Sequence, residues 1–508
     1  MTNDPTYQTQ LQPAVRNNLA CIRSALGQSE DLIIRELSIG PDRNIPVGIA
    51  YMEGLAEALT INDFMMNPLM YKMNESDIQM LYGQNEKNEP GTEYELSLPI
   101  ANLKKSTDFQ ALLSLLLTGS TLLFIEGITL GFAADTRGSE ERAISEPKSQ
   151  SVIRGPQEGF TETAMTNIAL IRKRLNDPNL WVKKRQIGTV SKTCVSVVYL
   201  NGIADDHVVH EVNRRLDHIK IDAILEGAYV EELIQDETFS PFPTVFNTER
   251  PDVAAAGLLE GRIAIIIDGS PFILMVPALF VQYFQSAEDY YHRSDFGLLR
   301  LLRFAAYFYS MMAPSLYIAV STFHQEVLPA NLLISLASQR EGVPLPAFIE
   351  AIIMIVAFEI LYEAGIRMPK AVGTAVSIVG ALVLGQAAVE AGLVSAAMVI
   401  VVASTAISNF IIPTYDGGQP IRILRFVFML LSASFGMFGI FVGTITLLLH
   451  LCSLRSFGVP YMTSLAPYNM ANVKDTIFRF PWWAMRTRPI LLSENAVRSD
   501  NSPPQPES

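Results

Sequence analysis

Two rhythms divide the chain. In its first half, short segments alternate between apolar and polar positions or run apolar for a few residues between turn signals. Leu32-Ile-Ile-Arg-Glu-Leu-Ser-Ile39 and Cys194-Val-Ser-Val-Val-Tyr-Leu200 predict strands, and residues 107–117 and 208–219 predict helices. From Ile263 onward long apolar runs take over, at residues 263–284, 302–323, 345–366, 371–389, 393–412 and 423–451. Most are close to the roughly 20 residues that a helix needs to cross a bilayer, and some are joined by links as short as Glu390-Ala-Gly392. The expectation is therefore α+β followed by membrane all-α: two tandem related α/β subdomains, then a polytopic helical membrane domain of five or six spans. The count is open because Asp268-Gly-Ser-Pro271 interrupts the first run, which reads either as a broken, re-entrant segment or as an interfacial turn. The last run exceeds one straight span. Gly436, Gly439 and Gly443 suit a single tilted, closely packed helix there.

The first half also repeats itself. Ile39-Gly40 and Val47-Gly-Ile-Ala-Tyr51-Met-Glu-Gly54-Leu-Ala56 align without a gap, at an offset of 148, with Ile187-Gly188 and Val195-Ser-Val-Val-Tyr199-Leu-Asn-Gly202-Ile-Ala204. This predicts a first α/β subdomain at 1–133, a polar linker at 134–159, a second subdomain at 160–260, a membrane domain at 261–452 and a tail at 453–508.

Charge sharpens that division. Residues 1–260 hold 36 acidic and 23 basic side chains, a net of −13, while residues 261–508 hold 15 of each. An acidic region repels phosphates, so nucleic acid is not an expected partner. Arg293, Arg300, Arg303, Arg367, Lys370, Arg422 and Arg425 fall on one side of the apolar runs, with Arg340 opposite, which makes the basic side cytoplasmic. The basic cluster Arg172-Lys-Arg174 and Lys183-Lys-Arg185 around Trp181 reads as a solvated face or as a contact for anionic headgroups or an acidic partner. The N-terminus lacks a basic stretch followed by an apolar one, so no cleavable signal is expected.

Chemistry-bearing motifs are scarce. Cys21, Cys194 and Cys452 stand far apart, and His207, His210, Glu211 and His218 lie on a charged helix, so neither a metal nor a disulfide framework is expected. No P-loop, GxSxG, HExxH or strand-linked GxGxxG occurs; the chain is expected to be no enzyme and to need no cofactor.

A set of dispersed motifs nevertheless carries a resemblance. Val152-Ile-Arg-Gly-Pro-Gln-Glu-Gly-Phe160, Asn167-Ile-Ala-Leu-Ile-Arg-Lys-Arg174, Pro241-Phe-Pro243, Thr248-Glu-Arg-Pro-Asp252, Leu258-Leu-Glu-Gly-Arg262, Asp268-Gly-Ser-Pro271, Glu363-Ala-Gly-Ile-Arg367, Gly385 to Gly392 and Ser456-Phe-Gly-Val-Pro460 follow one another in order. Together they resemble the A subunit of the GerA-type spore germinant receptors. The resemblance implies a subunit in the inner membrane of endospores that works with a multispanning B subunit and a C lipoprotein. It also implies homo-oligomerisation, contact with membrane lipid, sensing of a small nutrient either directly or through a partner, and an ion-conducting path.

No family pore residue is carried over, so candidates come from spacing alone. Val379, Val383, Gln386 and Glu390 share one helical face and are candidate pore-lining residues, an acidic ring next to apolar constrictions when repeated around an oligomer. Ordinary helix packing is the alternative for the two valines. Asp268, Glu359 and Glu363 are candidate intramembrane polar groups. Glu363 with Arg367 also has the spacing of a plain ion pair. Function is expected to be coupling of nutrient sensing to cation release. A shared accessory subunit of the germination apparatus is the alternative, followed by a secondary transporter.

Overall fold

The computed structural model describes residues 10–466 except 41–44, 72–97, 101, 139–145, 148, 153, 291–296 and 369–384. Beyond 466 it describes only residues 476–477, 479–480, 487–488, 492–493 and 497–498. Two units are formed, one of Met1–Gln235, Val245–Pro277 and Leu491–Ala496, the other of Asp236–Thr244, Ala278–Ile490 and Val497–Ser508.

In the first unit a helix, α1 (Val15–Ala25), leads into the hairpin β1 (Leu32–Ile39) and β2 (Ile45–Met52). A short helical run follows: α2 (Ala58–Ile61), a π turn (Asn62–Met66) and α3 (Asn67–Tyr71). Then come β3 (Leu103–Ser106), α4 (Phe109–Leu117) and a second hairpin, β4 (Ser120–Ile125) with β5 (Gly131–Asp135). The strands lie antiparallel in the order β1-β2-β4-β5-β3. The chain then repeats the scheme with α5 (Ala164–Arg174), β6 (Leu180–Ile187), β7 (Thr193–Leu200), α6 (Asp206–His218), α7 (Gly227–Ile234), β8 (Phe246–Thr248), α8 (Pro251–Leu259), β9 (Ile263–Ile267) and β10 (Ile273–Val276). Its order, β6-β7-β9-β10-β8, is the same topology.

The offset of 148 holds residue by residue in the leading hairpins: Leu32 faces Met52 as Leu180 faces Leu200. Gly54 and Gly202, each just after its hairpin, both adopt positive φ, 81° and 75°, a region that favours glycine. The repeats are locked by a buried ion pair. Asp31, at the start of β1, takes both Nε and Nη2 of Arg172 from α5, and the same Nη2 donates to Leu180 O at 2.8 Å. Trp181 lies against Gly27, where a Cβ would come within 1.8 Å of the ring.

Most of the predicted basic cluster is paired within the fold, while Lys173 is exposed. Besides Arg172, Arg174 pairs with Glu158, Lys184 with Glu53 and Arg185 with Asp217, and Lys183 lies 5.7 Å from the centroid of the Tyr199 ring.

The expected polytopic membrane domain is not found: among the described residues, no helix is long and apolar enough to cross a membrane. The first apolar run shows why its sequence misleads. Strands buried on both faces read as continuous apolar sequence, just as membrane helices do. Here β9 and β10 are buried at every position, with Asp268 and Gly269 in the turn between them. A 3₁₀ segment, Phe280–Phe284, completes that run.

The second unit is helical. It contains α9 (Leu298–Thr322), a 3₁₀ turn (Gln325–Val327), α10 (Ala330–Arg340), α11 (Ala347–Arg367), α12 (Gly385–Glu390), α13 (Ala396–Asn409), α14 (Tyr415–Phe435) and α15 (Met437–Ser453), followed by the small hairpin β11 (Arg455–Ser456) and β12 (Val459–Pro460). Its longer helices are interrupted by charges and prolines: α9 carries Arg300, Arg303 and Pro314; α11 carries Glu350, Glu359 and Glu363; α14 carries Pro420, Arg422 and Arg425. Helix α15 has 17 residues, fewer than the roughly 20 that a span typically takes. The final run is not one tilted helix. It breaks at Gly436, whose φ of 61° and ψ of −139° end α14 and start α15. Ile318, Ala347, Ala351, Ile355, Met398, Val402 and Met429 form the core among α9, α11, α13 and α14.

Candidate functional site

The residues singled out in the sequence fall in three different places. Asp268 belongs to the first unit, not to an interrupted span. Its carboxylate accepts from the backbone N–H of Ala164 at 3.0 Å, satisfying one of the free donors at the start of α5, while its own N–H donates to Cys194 O. Glu359 and Glu363 both lie on α11, but only Glu359 faces another helix. Glu363 is exposed and bonds Arg367 one turn on at 2.7 Å. Gln386 and Glu390 are on α12, with Gln386 Nε2 donating to Glu390 Oε1 at 2.8 Å, while Val379 and Val383 lie outside the described residues.

Around Glu359 a polar joint forms whose need arises in the backbone. Pro314, inside α9, has no N–H to give to the carbonyl of Ser310 one turn earlier. An unpaired carbonyl in an apolar core costs about 1–3 kcal/mol. Arg425 of α14 supplies the missing donor: its Nε lies 3.0 Å from Ser310 O. A buried guanidinium needs a counter-charge, and Glu359 of α11 provides it, with Oε1 at 3.7 Å from Arg425 Nη1. Glu359 Oε2 also accepts from Arg422 Nε at 2.8 Å, and the Arg422 guanidinium stacks 4.8 Å from the centroid of the Tyr362 ring. Burial pulls Arg425 down to about 10 from the usual guanidinium range, with Glu359 opposing that pull and Arg422 adding to it. One carboxylate and two arginines thus tie α9, α11 and α14 together.

A second carboxylate network, around Glu350 of α11, is not among the candidates read from the sequence. Glu350 is fully buried, and its Oε2 accepts from both the N–H and the hydroxyl of Ser395 at 3.0 Å. Ser395 is the N-cap of α13, so a carboxylate there is favoured by the free amides and by the positive end of the helix.

In the first unit, Arg250 is also buried, donating to both oxygens of Asp252 and to the carbonyls of Gln150 and Pro156. The Thr248-Glu-Arg-Pro-Asp252 motif thereby anchors the segment that precedes α5, and Glu249 Oε1 accepts from the Ser149 hydroxyl at 2.7 Å. The motif's conspicuous charges are structural ties.

Compared with protein families, residues 20–491 match the model described as Bacillus/Clostridium GerA spore germination protein. The chain belongs to that family. It is 47% identical over 490 residues to spore germination protein KA of Bacillus subtilis (strain 168), covering 96% of this chain and 88% of that protein. It is 42% identical to the uncharacterized membrane protein YfkQ of the same organism, over 94% of this chain and 91% of that one. It is 38% identical to spore germination protein GerLA of Bacillus cereus, over 93% and 94%. Among solved structures, the N-terminal domain of the A subunit of the Bacillus megaterium spore germinant receptor GerK3 matches at 35% identity and a TM-score of 0.40, covering 53% of this chain and 97% of that domain.

Proposed function

We propose that this GerA-family chain is the A-type subunit of a germinant receptor that couples the sensing of a small nutrient to release of cations through the spore inner membrane. The single observation that carries the reading is the family match from residue 20 to residue 491, which spans both units. In this reading the chain associates with itself and works beside B and C subunits in contact with membrane lipid. Gln386 and Glu390 are proposed to border the cation route with Val379 and Val383; the reading is supported by an exposed carboxylate on α12, hydrogen-bonded to its neighbour.

The test is germination of spores lacking only this chain, challenged separately with amino acids, sugars and nucleosides and followed by loss of refractility. Loss of the response to one nutrient class, restored by the intact chain, is the expected result. Equal slowing with every nutrient identifies a shared accessory subunit, and an unchanged response to all of them contradicts the reading.

A further inference from the structure

Helix α10 has no buried residue, yet its last residue reaches into the helical core. Arg340 is a quarter exposed, and its Nε lies 3.6 Å from Oε1 of the fully buried Glu350. That distance is beyond hydrogen-bond range, and Glu350 Oε1 has no hydrogen-bond partner, so the two form an ion pair by charge alone. The negative charge of Glu350 is held from the other side, by Ser395 and the start of α13. Arg340 is consequently paired with one oxygen of Glu350 by charge alone, while the other oxygen takes its hydrogen bonds from Ser395.

Arg340 also lines a groove of about 770 Å³ formed by the end of α9, the following 3₁₀ turn and α10. That volume is in the range of small-molecule sites. Leu328, Leu333, Ile334 and Leu336 make its walls apolar, and Ser321 and Gln325 add neutral polar groups. Glu341 also lines the groove, and its negative charge limits a ligand to the one carboxylate that Arg340 can offset.

From this arrangement we infer a binding site for a small monocarboxylate with an apolar body, its carboxylate on the Arg340 guanidinium and its hydrocarbon part along α10. A guanidinium pairs well with a planar carboxylate through two parallel N–H donors, which the Nε contact with Glu350 leaves largely unused. Ligand and Glu350 compete for the same cation. Occupancy of the groove therefore bears on Glu350, and through Ser395 on α13 and on Tyr317 of α9, whose hydroxyl lies 3.3 Å from the Ser395 hydroxyl. The inference goes beyond the receptor reading and does not depend on it, because binding is measured directly.

The probe is octanoate, titrated calorimetrically into the full-length chain, with octan-1-ol and octylammonium as neutral and cationic counterparts of the same length. Octanoate is expected to bind at least tenfold more tightly than either. Arg340→Gln is expected to remove that preference. Glu350→Gln keeps an acceptor for Ser395 but deletes the competing charge, and is expected to tighten octanoate binding several-fold, an effect that vanishes in the Arg340→Gln background. Equal binding of octanoate and octan-1-ol, no binding of octanoate, or an unchanged affinity in Arg340→Gln each overturns the site.

Discussion

Asp31 and Arg172 show how much a single pair can matter in this chain, because neither side chain is accessible and each is the other's counter-charge. Removing one partner of such a pair leaves an uncompensated buried charge, at a cost of about 3–5 kcal/mol. Asp31→Ala is accordingly expected to destabilise the first unit by that amount in denaturant unfolding, whereas Glu36→Ala, which cuts an exposed pair with Arg16, costs under about 1 kcal/mol. Arg425 poses a different residue-level question, since its role originates in Pro314. With Pro314→Ala, the new N–H can bond Ser310 O, so Arg425→Met should cost about 1 kcal/mol less in that background than in the parent chain. A double-mutant cycle measures this, and zero coupling would contradict the account. Neither pair was legible in the sequence. Residues 31 and 172 belong to different copies of the repeat, and nothing about a proline in an apolar run reveals which distant arginine will serve the carbonyl it orphans. Glu363 with Arg367 was legible, because helical spacing alone brings them together.

Among the elements, hairpins and amphipathic helices of the first unit follow from local pattern: β1 spans the eight residues the alternation marks, and α6 carries the apolar stripe Val208, Val209, Val212 and Leu216. The strands β9 and β10, buried on both faces, are among the elements misread. In β9, five consecutive apolar residues carry no periodicity, so only the Asp268-Gly269 turn separates a sheet core from a membrane segment. Helix α6 offers a pH test. Its Glu211 is held down to about 2 by hydrogen bonds from Arg214 and by pairing with Arg215, despite some opposing burial. A carboxylate whose folded pKa lies below its ordinary value stabilises the fold above about pH 4.5, and that contribution is lost as pH falls toward 2. Glu211→Gln should therefore reduce the stability of the first unit at pH 6 and leave it nearly unchanged at pH 2, as followed by circular dichroism. An equal effect at both values would rule out the ion pairs as the cause.

At the scale of the whole molecule, the family was legible because motifs in order along the chain carry it, and residues 20–491 match its model. The architecture of the second half was less legible, since apolar content alone does not distinguish buried strands and polar-jointed helices from spans. Glu359 with Arg422 and Arg425, and Glu350 with Ser395, give that half internal charge networks that a reading by hydropathy passes over. The role proposed for this chain is to link germinant arrival to cation release. The most direct measurement is potassium efflux in the first minutes after nutrient addition, recorded from spores lacking the chain, from spores carrying it, and from spores carrying Glu390→Ala. Efflux that is absent without the chain, restored with it and slowed by the substitution is the predicted result. Efflux that proceeds at full rate for every nutrient in spores lacking the chain would contradict the account.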